Sequence, residues 1–155
     1  MTIRISVPGR PDLQLDRLLL DFNGTLSERG RLVDGVRPLI DRLRPSIEIH
    51  LLSADTFGTL AEVAEELGDL PVQKVSSGED KAAFATEIGP GTCAAIGNGA
   101  NDALMLSAVG LGIAVLGAEG ASSRALAAAD VVSLSIVDAL SLLVEPEVLT
   151  ATLRS

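Results

Sequence analysis

Short apolar runs alternate along this chain with stretches that are apolar on one side only. Ile3, Ile5 and Val7 alternate with polar residues, which predicts a half-buried strand. Pro8 to Pro11 reads as a turn, and Leu13 to Leu20 returns as a second strand that becomes fully apolar and ends at Asp21. Gly24, Gly30 and Gly35 punctuate the next segment, which holds a small flap around Arg31 to Val33. A helix is predicted over Val36 to Leu43, then a strand over Ile47 to Leu52 that ends at Ser53. Further on, helices are predicted over Phe57 to Leu67, Glu79 to Ile88, Asp102 to Val109, Ala121 to Ala128 and Ile136 to Leu143. Strands are predicted over Pro71 to Val75, Thr92 to Ile96, Gly112 to Leu116 and Val131 to Val132.

Strands that alternate with helices of about three turns build βαβ units, and these predict an α/β, doubly wound, mostly parallel sheet. At 155 residues, with no linker, repeat or low-complexity tract, the chain reads as a single domain over residues 1–155. No stretch is long enough for a large inserted cap. Apolar residues make up 47% and aromatic ones 2%, an aliphatic interior suited to strands covered on both faces.

Charge narrows the partners. A net charge of −9 opposes non-specific binding to nucleic acid and to anionic membranes, so neither is expected as a partner. A phosphate ligand then needs a local cation, either a metal or a placed lysine. Cys93 is the single cysteine, so no intrachain disulfide forms, which fits a reducing cytoplasm. The first eight residues lack the long apolar core of a signal peptide.

Four points fall at strand ends or helix starts: Asp21, Ser53, Lys81 and the loop from Asn98 to Asp102. In a parallel sheet the C-terminal strand ends share one edge, where ligands bind. A carboxylate such as Asp21 attacks phosphorus without an activating base. Ser53 and the backbone N–H groups beside Asp21 suit phosphoryl oxygens, and Lys81 suits developing negative charge. Asp21, Asn98 and Asp102 offer the oxygen ligands that Mg²⁺ prefers. Lys74 competes with Lys81 for the cationic role, and Lys81 is favoured. His50 reads as a packed side chain, Cys93 as core, and Asp55 as a cap for the following helix. Glu62, Glu65 and Glu66 read as a solvated helix face. The loop from Gly97 is a near miss for a dinucleotide fingerprint, because Asp102 replaces the last glycine and repels a pyrophosphate.

Three stretches carry a family likeness: Asp21-Phe22-Asn23-Gly24-Thr25-Leu26, Ser53 to Thr59, and Gly97-Asn98-Gly99-Ala100-Asn101-Asp102 through Leu106. With Lys81 they resemble, in order, the four motifs of the haloacid dehalogenase superfamily of phosphohydrolases. The likeness is nearest to its small soluble group related to the phosphorylation domain of P-type ATPases. It implies a transient aspartyl-phosphate on Asp21 and a phosphoryl site formed by Phe22, Ser53, Ala54 and Lys81. It also implies a Mg²⁺ site using Asp21, the Asn23 backbone carbonyl, Asn98 and Asp102.

Two positions depart from the family pattern. Asn23 stands where the hydrolases carry the general acid and base, a loss that typically costs ~10²–10⁴ in rate. Asn98 in place of Asp removes one negative charge from the metal site. Together they imply slow turnover, a restriction to good leaving groups, or a persistent phosphoenzyme. The capless core implies an open site, with a phosphorylated small molecule or a phosphoprotein as partner, or closure by a second subunit of a homo-oligomer. Two further readings stay open: a weakly active binding or regulatory subunit, and a phosphoacceptor signalling module.

Overall fold

The computed structural model describes all residues except 56, 57 and 76. Its core is a six-stranded sheet in which every pairing is parallel, built from β3 (Arg17–Asp21), β6 (Glu48–Ser53), β7 (Val72–Lys74), β8 (Cys93–Gly97), β9 (Leu111–Val115) and β10 (Val131–Ser133). The spatial order is β10-β9-β8-β3-β6-β7. The chain therefore leaves β3 in one direction through β6 and β7, then returns to the other side of β3 and continues through β8, β9 and β10. The reversal falls between β3 and β8, and a crevice at such a switch point is where open α/β sheets place ligands.

Helices cover both faces because the strands are apolar on both. Leu18, Leu20, Ile49, Leu51, Ile96 and Ile113 pack with α1 (Val36–Leu43), α2 (Leu60–Glu66), α6 (Ile136–Val144) and α7 (Glu147–Leu153). Leu19, Leu52, Cys93, Ala95 and Ala114 pack with α3 (Gly78–Ile88), α4 (Ala103–Ala108) and α5 (Ser123–Ala128). Small residues on the second set of strand positions let α4 approach closely. The doubly wound α/β fold expected from the pattern is present, and no large cap is inserted. Among the described residues no helix is long and apolar enough to cross a membrane.

Three local features differ from the sequence expectation. The run Leu13 to Leu20 divides at Asp16: β2 (Leu13–Leu15) pairs antiparallel with β1 (Ile3–Ile5), while β3 enters the main sheet. Asp16 joins the two, its N–H donating to the Thr92 carbonyl at 2.8 Å and its carbonyl accepting from Glu48 N–H at 3.0 Å, so the partner changes at this residue. Helix α7 follows Pro146 and buries Leu149; its apolar stripe is too thin to stand out in the sequence. The predicted start of the helix at Phe57 lies outside the described residues, and α2 is described from Leu60. The flap region forms a hairpin of β4 (Ser27–Glu28) and β5 (Arg31–Leu32).

Candidate active site

The switch point gathers residues far apart in sequence. Asp21 ends β3 and Ser53 ends the adjacent β6; Asn98 follows β8, on the other side of β3. Lys81 lies on α3, which Ser77 caps by accepting the Asp80 N–H at 3.1 Å. That start sets Lys81 at the first turn, facing the sheet edge.

The Lys81 ammonium donates to Asp21 Oδ1 at 2.7 Å and to Asp102 Oδ1 at 2.7 Å. The three side chains are almost sealed, with relative exposures of 2% for Lys81, 5% for Asp21 and 0% for Asp102. The remaining carboxylate oxygens are also engaged. Thr25 Oγ1 lies 3.0 Å from Asp21 Oδ2 as its donor, and the backbone N–H groups of Asn98 and Gly99 donate to Asp102 Oδ2 at 3.1 and 2.9 Å. Lys74, the competing cation, is 74% exposed and pairs with Asp55 at 3.7 Å, away from Asp21.

Burial opposes charge on Asp21, and the nearby Asp102 adds to that effect against the pull of Lys81. Its carboxyl is pushed up to about 7. Burial also opposes charge on Lys81, but the two carboxylates outweigh it and hold the ammonium above its ordinary value. Two carboxylates and one ammonium leave the cluster about one charge short of neutral when both acids ionise, a natural place for a cation.

On the other side, Asn23 Nδ2 donates to Ser53 Oγ at 3.1 Å, and Asp55 N–H donates to the same oxygen at 2.9 Å. Ser53 is 1% exposed, and with its oxygen already accepting twice, its hydroxyl hydrogen is left to donate. Asn23 Oδ1 is buried with no partner among the described residues. Asn98 places its amide oxygen 3.2 Å from Thr25 Oγ1, while its amide nitrogen donates to the Gly120 carbonyl at 3.0 Å. Thr25 therefore stands between Asp21 and Asn98, giving its one hydrogen to either. Two glycines permit this closeness: a Cβ on Gly24 (φ +77°) would stand 2.7 Å from Asn98 Nδ2, and one on Gly97 2.5 Å from Asp102 Cγ.

Phe22 directly follows Asp21. Its N–H donates to the Leu52 carbonyl at 3.2 Å, extending the β3–β6 pairing, and its ring is fully buried, so it anchors the turn. Ala54 is exposed just past Ser53. Outside the site, His50 is buried against Phe84 with Nε2 2.7 Å from Glu48 Oε1. Cys93 is buried, and Asp55 Oδ1 accepts the Leu60 N–H at the start of α2 at 3.0 Å. Sequence reasoning gave no role to Thr25 or to the segment around Gly120; the first signal was present in the motif, and the second was not legible.

The donor set suits a hard divalent cation. Among the described residues no three His, Cys, Asp or Glu side chains form a metal cage. Asp21, Asp102 and the inward amide oxygen of Asn98 supply oxygens only, and Mg²⁺ characteristically takes one or two carboxylates and completes its shell with water and phosphate.

The sequence pattern of the haloacid dehalogenase-like hydrolases matches residues 10–110. This chain belongs to that family. A stretch of 39 residues is 44% identical to a protein of Methanocaldococcus jannaschii, uncharacterized protein MJ0072, over 25% of this chain and 89% of that one. The 3-deoxy-D-manno-octulosonate 8-phosphate phosphatase of Moraxella catarrhalis, solved with magnesium ion, phosphate ion and KDO, shares the fold. Its TM-score is 0.66 at 16% identity, over 88% of this chain and 90% of that one. A zinc-transporting PIB-type ATPase solved in its E2.Pi state superposes with a TM-score of 0.63 at 28% identity, over 78% of this chain and 20% of the ATPase. Membership of the family supports an enzyme of the hydrolase type, with phosphatases and ATPases as its structural neighbours.

Proposed function

We propose that this chain is a Mg²⁺-dependent cytoplasmic phosphohydrolase that works through an aspartyl-phosphate on Asp21, with a slow second step. The observation that carries this reading is the Lys81 ammonium held 2.7 Å from both Asp21 and Asp102 at the switch point of the sheet. Asp21, Asn98 and Asp102, with the Asn23 carbonyl, would hold Mg²⁺, which would supply the charge neutralisation that lets a phosphate dianion approach a carboxylate.

In the first step an Asp21 oxygen attacks phosphorus, and the bond from phosphorus to the leaving oxygen breaks. Lys81 balances the charge that builds on Asp21 and the phosphoryl oxygens, and the Ser53 hydroxyl donates to one of those oxygens. The leaving oxygen takes its proton from solvent, because Asn23 has none to give. Good leaving groups are therefore favoured. In the second step water attacks the same phosphorus, the bond to Asp21 breaks, and the carboxylate is restored. The unpartnered Asn23 Oδ1 accepts a hydrogen bond from that water and orients it, but an amide does not take the proton, which passes to the phosphate product or to solvent. Orientation without base catalysis gives a long-lived phosphoenzyme.

The test is hydrolysis of acetyl phosphate and an aryl phosphate with Mg²⁺ by wild type and Asp21→Asn, with formation of a beryllofluoride adduct that mimics the aspartyl-phosphate. Activity and adduct in wild type, both lost in the variant, support the reading. A folded wild type with neither one overturns it.

A further inference from the structure

The β4–β5 hairpin is tied down on two sides. Its turn residues, Arg29 (φ 52°) and Gly30 (φ 81°), both have positive φ, the backbone of a tight two-residue hairpin turn. On one side Thr59 Oγ1 donates to the Gly30 carbonyl at 3.3 Å. On the other, Arg29 N–H donates to Glu119 Oε2 at 3.0 Å, and Ala118 N–H donates to Glu28 Oε1 at 3.3 Å.

Thr59 belongs to the segment after β6, and Ala118 and Glu119 to the segment after β9. In the sheet β6 and β9 are separated by β3 and β8, which at the usual strand spacing is about 14 Å. A hairpin tip that touches both segments lies across the ends of β3 and β8, over Asp21 and Asn98. The near-complete burial of Asp21, Lys81, Asp102 and Ser53 agrees with that cover. The segment that holds the tip also holds Asn98: Asn98 Nδ2 donates to the Gly120 carbonyl at 3.0 Å and Ser122 N–H donates to the Asn98 carbonyl at 2.8 Å.

We infer that Glu119 is a specificity-determining latch: by pinning Arg29 it keeps the hairpin across the site and restricts it to small phosphate esters and acyl phosphates, excluding phosphorylated side chains of polypeptides. The inference rests on the phosphohydrolase reading above. Absence of an inserted cap does not leave this site open, because the chain straps it with its own hairpin.

The experiment compares wild type, Glu119→Ala and Glu119→Gln. It measures kcat/KM for acetyl phosphate and for a phosphoserine peptide, and hydrogen exchange at the Arg29 amide. Gln keeps an oxygen to accept that amide; Ala does not. In Glu119→Ala the Arg29 amide is expected to lose protection and the peptide-to-acetyl-phosphate ratio to rise about tenfold or more, the scale of one lost bond to a charged group. Glu119→Gln is expected to retain the wild-type ratio and protection. Arg29 exchange unchanged in the Ala variant, or faster exchange with an unchanged ratio, overturns the latch while acetyl phosphate turnover leaves the phosphohydrolase reading standing. A wild type that turns over the peptide as readily as acetyl phosphate also overturns it. A wild type silent on both substrates and without a beryllofluoride adduct overturns both.

Discussion

The two sides of the site are built to different standards. Around Lys81, all four oxygens of Asp21 and Asp102 have partners within hydrogen-bond distance, and the ammonium sits between two carboxylates. Around Asn23, the amide holds Ser53 with its nitrogen and leaves its buried oxygen with no partner among the described residues. The first side is fully satisfied and rigid, as binding and attack at phosphorus require. The second is satisfied only in part, where water must enter to finish the reaction. The difference separates formation of the phosphoenzyme from its breakdown, and each side can be attacked alone.

The largest effect is expected from Lys81→Met, which leaves two buried carboxylates facing each other. Breaking a buried ion pair from one side typically destabilises by about 3–5 kcal/mol. Denaturant unfolding is expected to show a loss on that scale in Mg²⁺-free buffer, with no phosphoenzyme trapped. A stable, fully phosphorylated Lys81→Met protein would remove the functional distinction between the two sides.

Asn23→Asp is expected to act on the other side only. Supplying an acid and base where the amide stands should shorten the phosphoenzyme lifetime by about 10², with phosphorylation by acetyl phosphate changed less. Rapid-quench measurement of the two steps separates them. Equal acceleration of both would mean that the residue serves the two steps alike, as acid in the first and base in the second, and would erase the contrast between the sides.

A pH effect follows from Asp21. Its carboxyl titrates near 7 in the folded protein against an ordinary value of 3.8, so the native state holds more protons than the unfolded chain between those values. Its contribution to stability is therefore fully present below about pH 3.8 and is lost as pH rises through about 7. In EDTA, unfolding free energy is expected to fall with pH over that window more steeply in wild type than in Asp21→Asn. Identical slopes would show that Asp21 ionises as an exposed carboxylate does.

The smallest effects are expected at the closest approaches. Gly24→Ala adds a methyl group at φ +77°, against Asn98 Nδ2, and should cost about 1–2 kcal/mol by strain alone. Thermal unfolding, with Mg²⁺ titration of the same sample, would separate the strain from any weakening of the metal site.

Much of this was legible in the sequence, for a physical reason. Asp21, Ser53 and Asn98 follow apolar runs that read as buried strands, and a parallel sheet brings such strand ends to one edge. The α1 span from Val36 to Leu43 shows in its apolar spacing alone. What was not legible depends on contacts between remote segments. The apolar alternation of Leu13 and Leu15 lapses at Asp16 and Arg17, but two polar residues do not say which strand each half will pair with. Glu119 sits in a polar loop with no motif, and its role exists only because β9 ends two strands away from β3. The Phe22 amide looked available for phosphate; which carbonyl claims it depends on the β3–β6 register.

The place of β3 also governs when the protein becomes itself during synthesis. Arg17 pairs with Glu48 on one side and with Cys93 on the other, so the strand that carries Asp21 stays an open edge until well over half of the chain has been made. Pairings between such distant segments form slowly, because a long loop must close before any contact rewards it. Lys81 and Asp102 come from either side of that last insertion, so the burial that perturbs Asp21 is completed only as β8 docks. A nascent chain stalled before Cys93 has an aliphatic, unpaired edge and an ordinary exposed aspartate, and the folding event that covers the edge is the same one that builds the nucleophile.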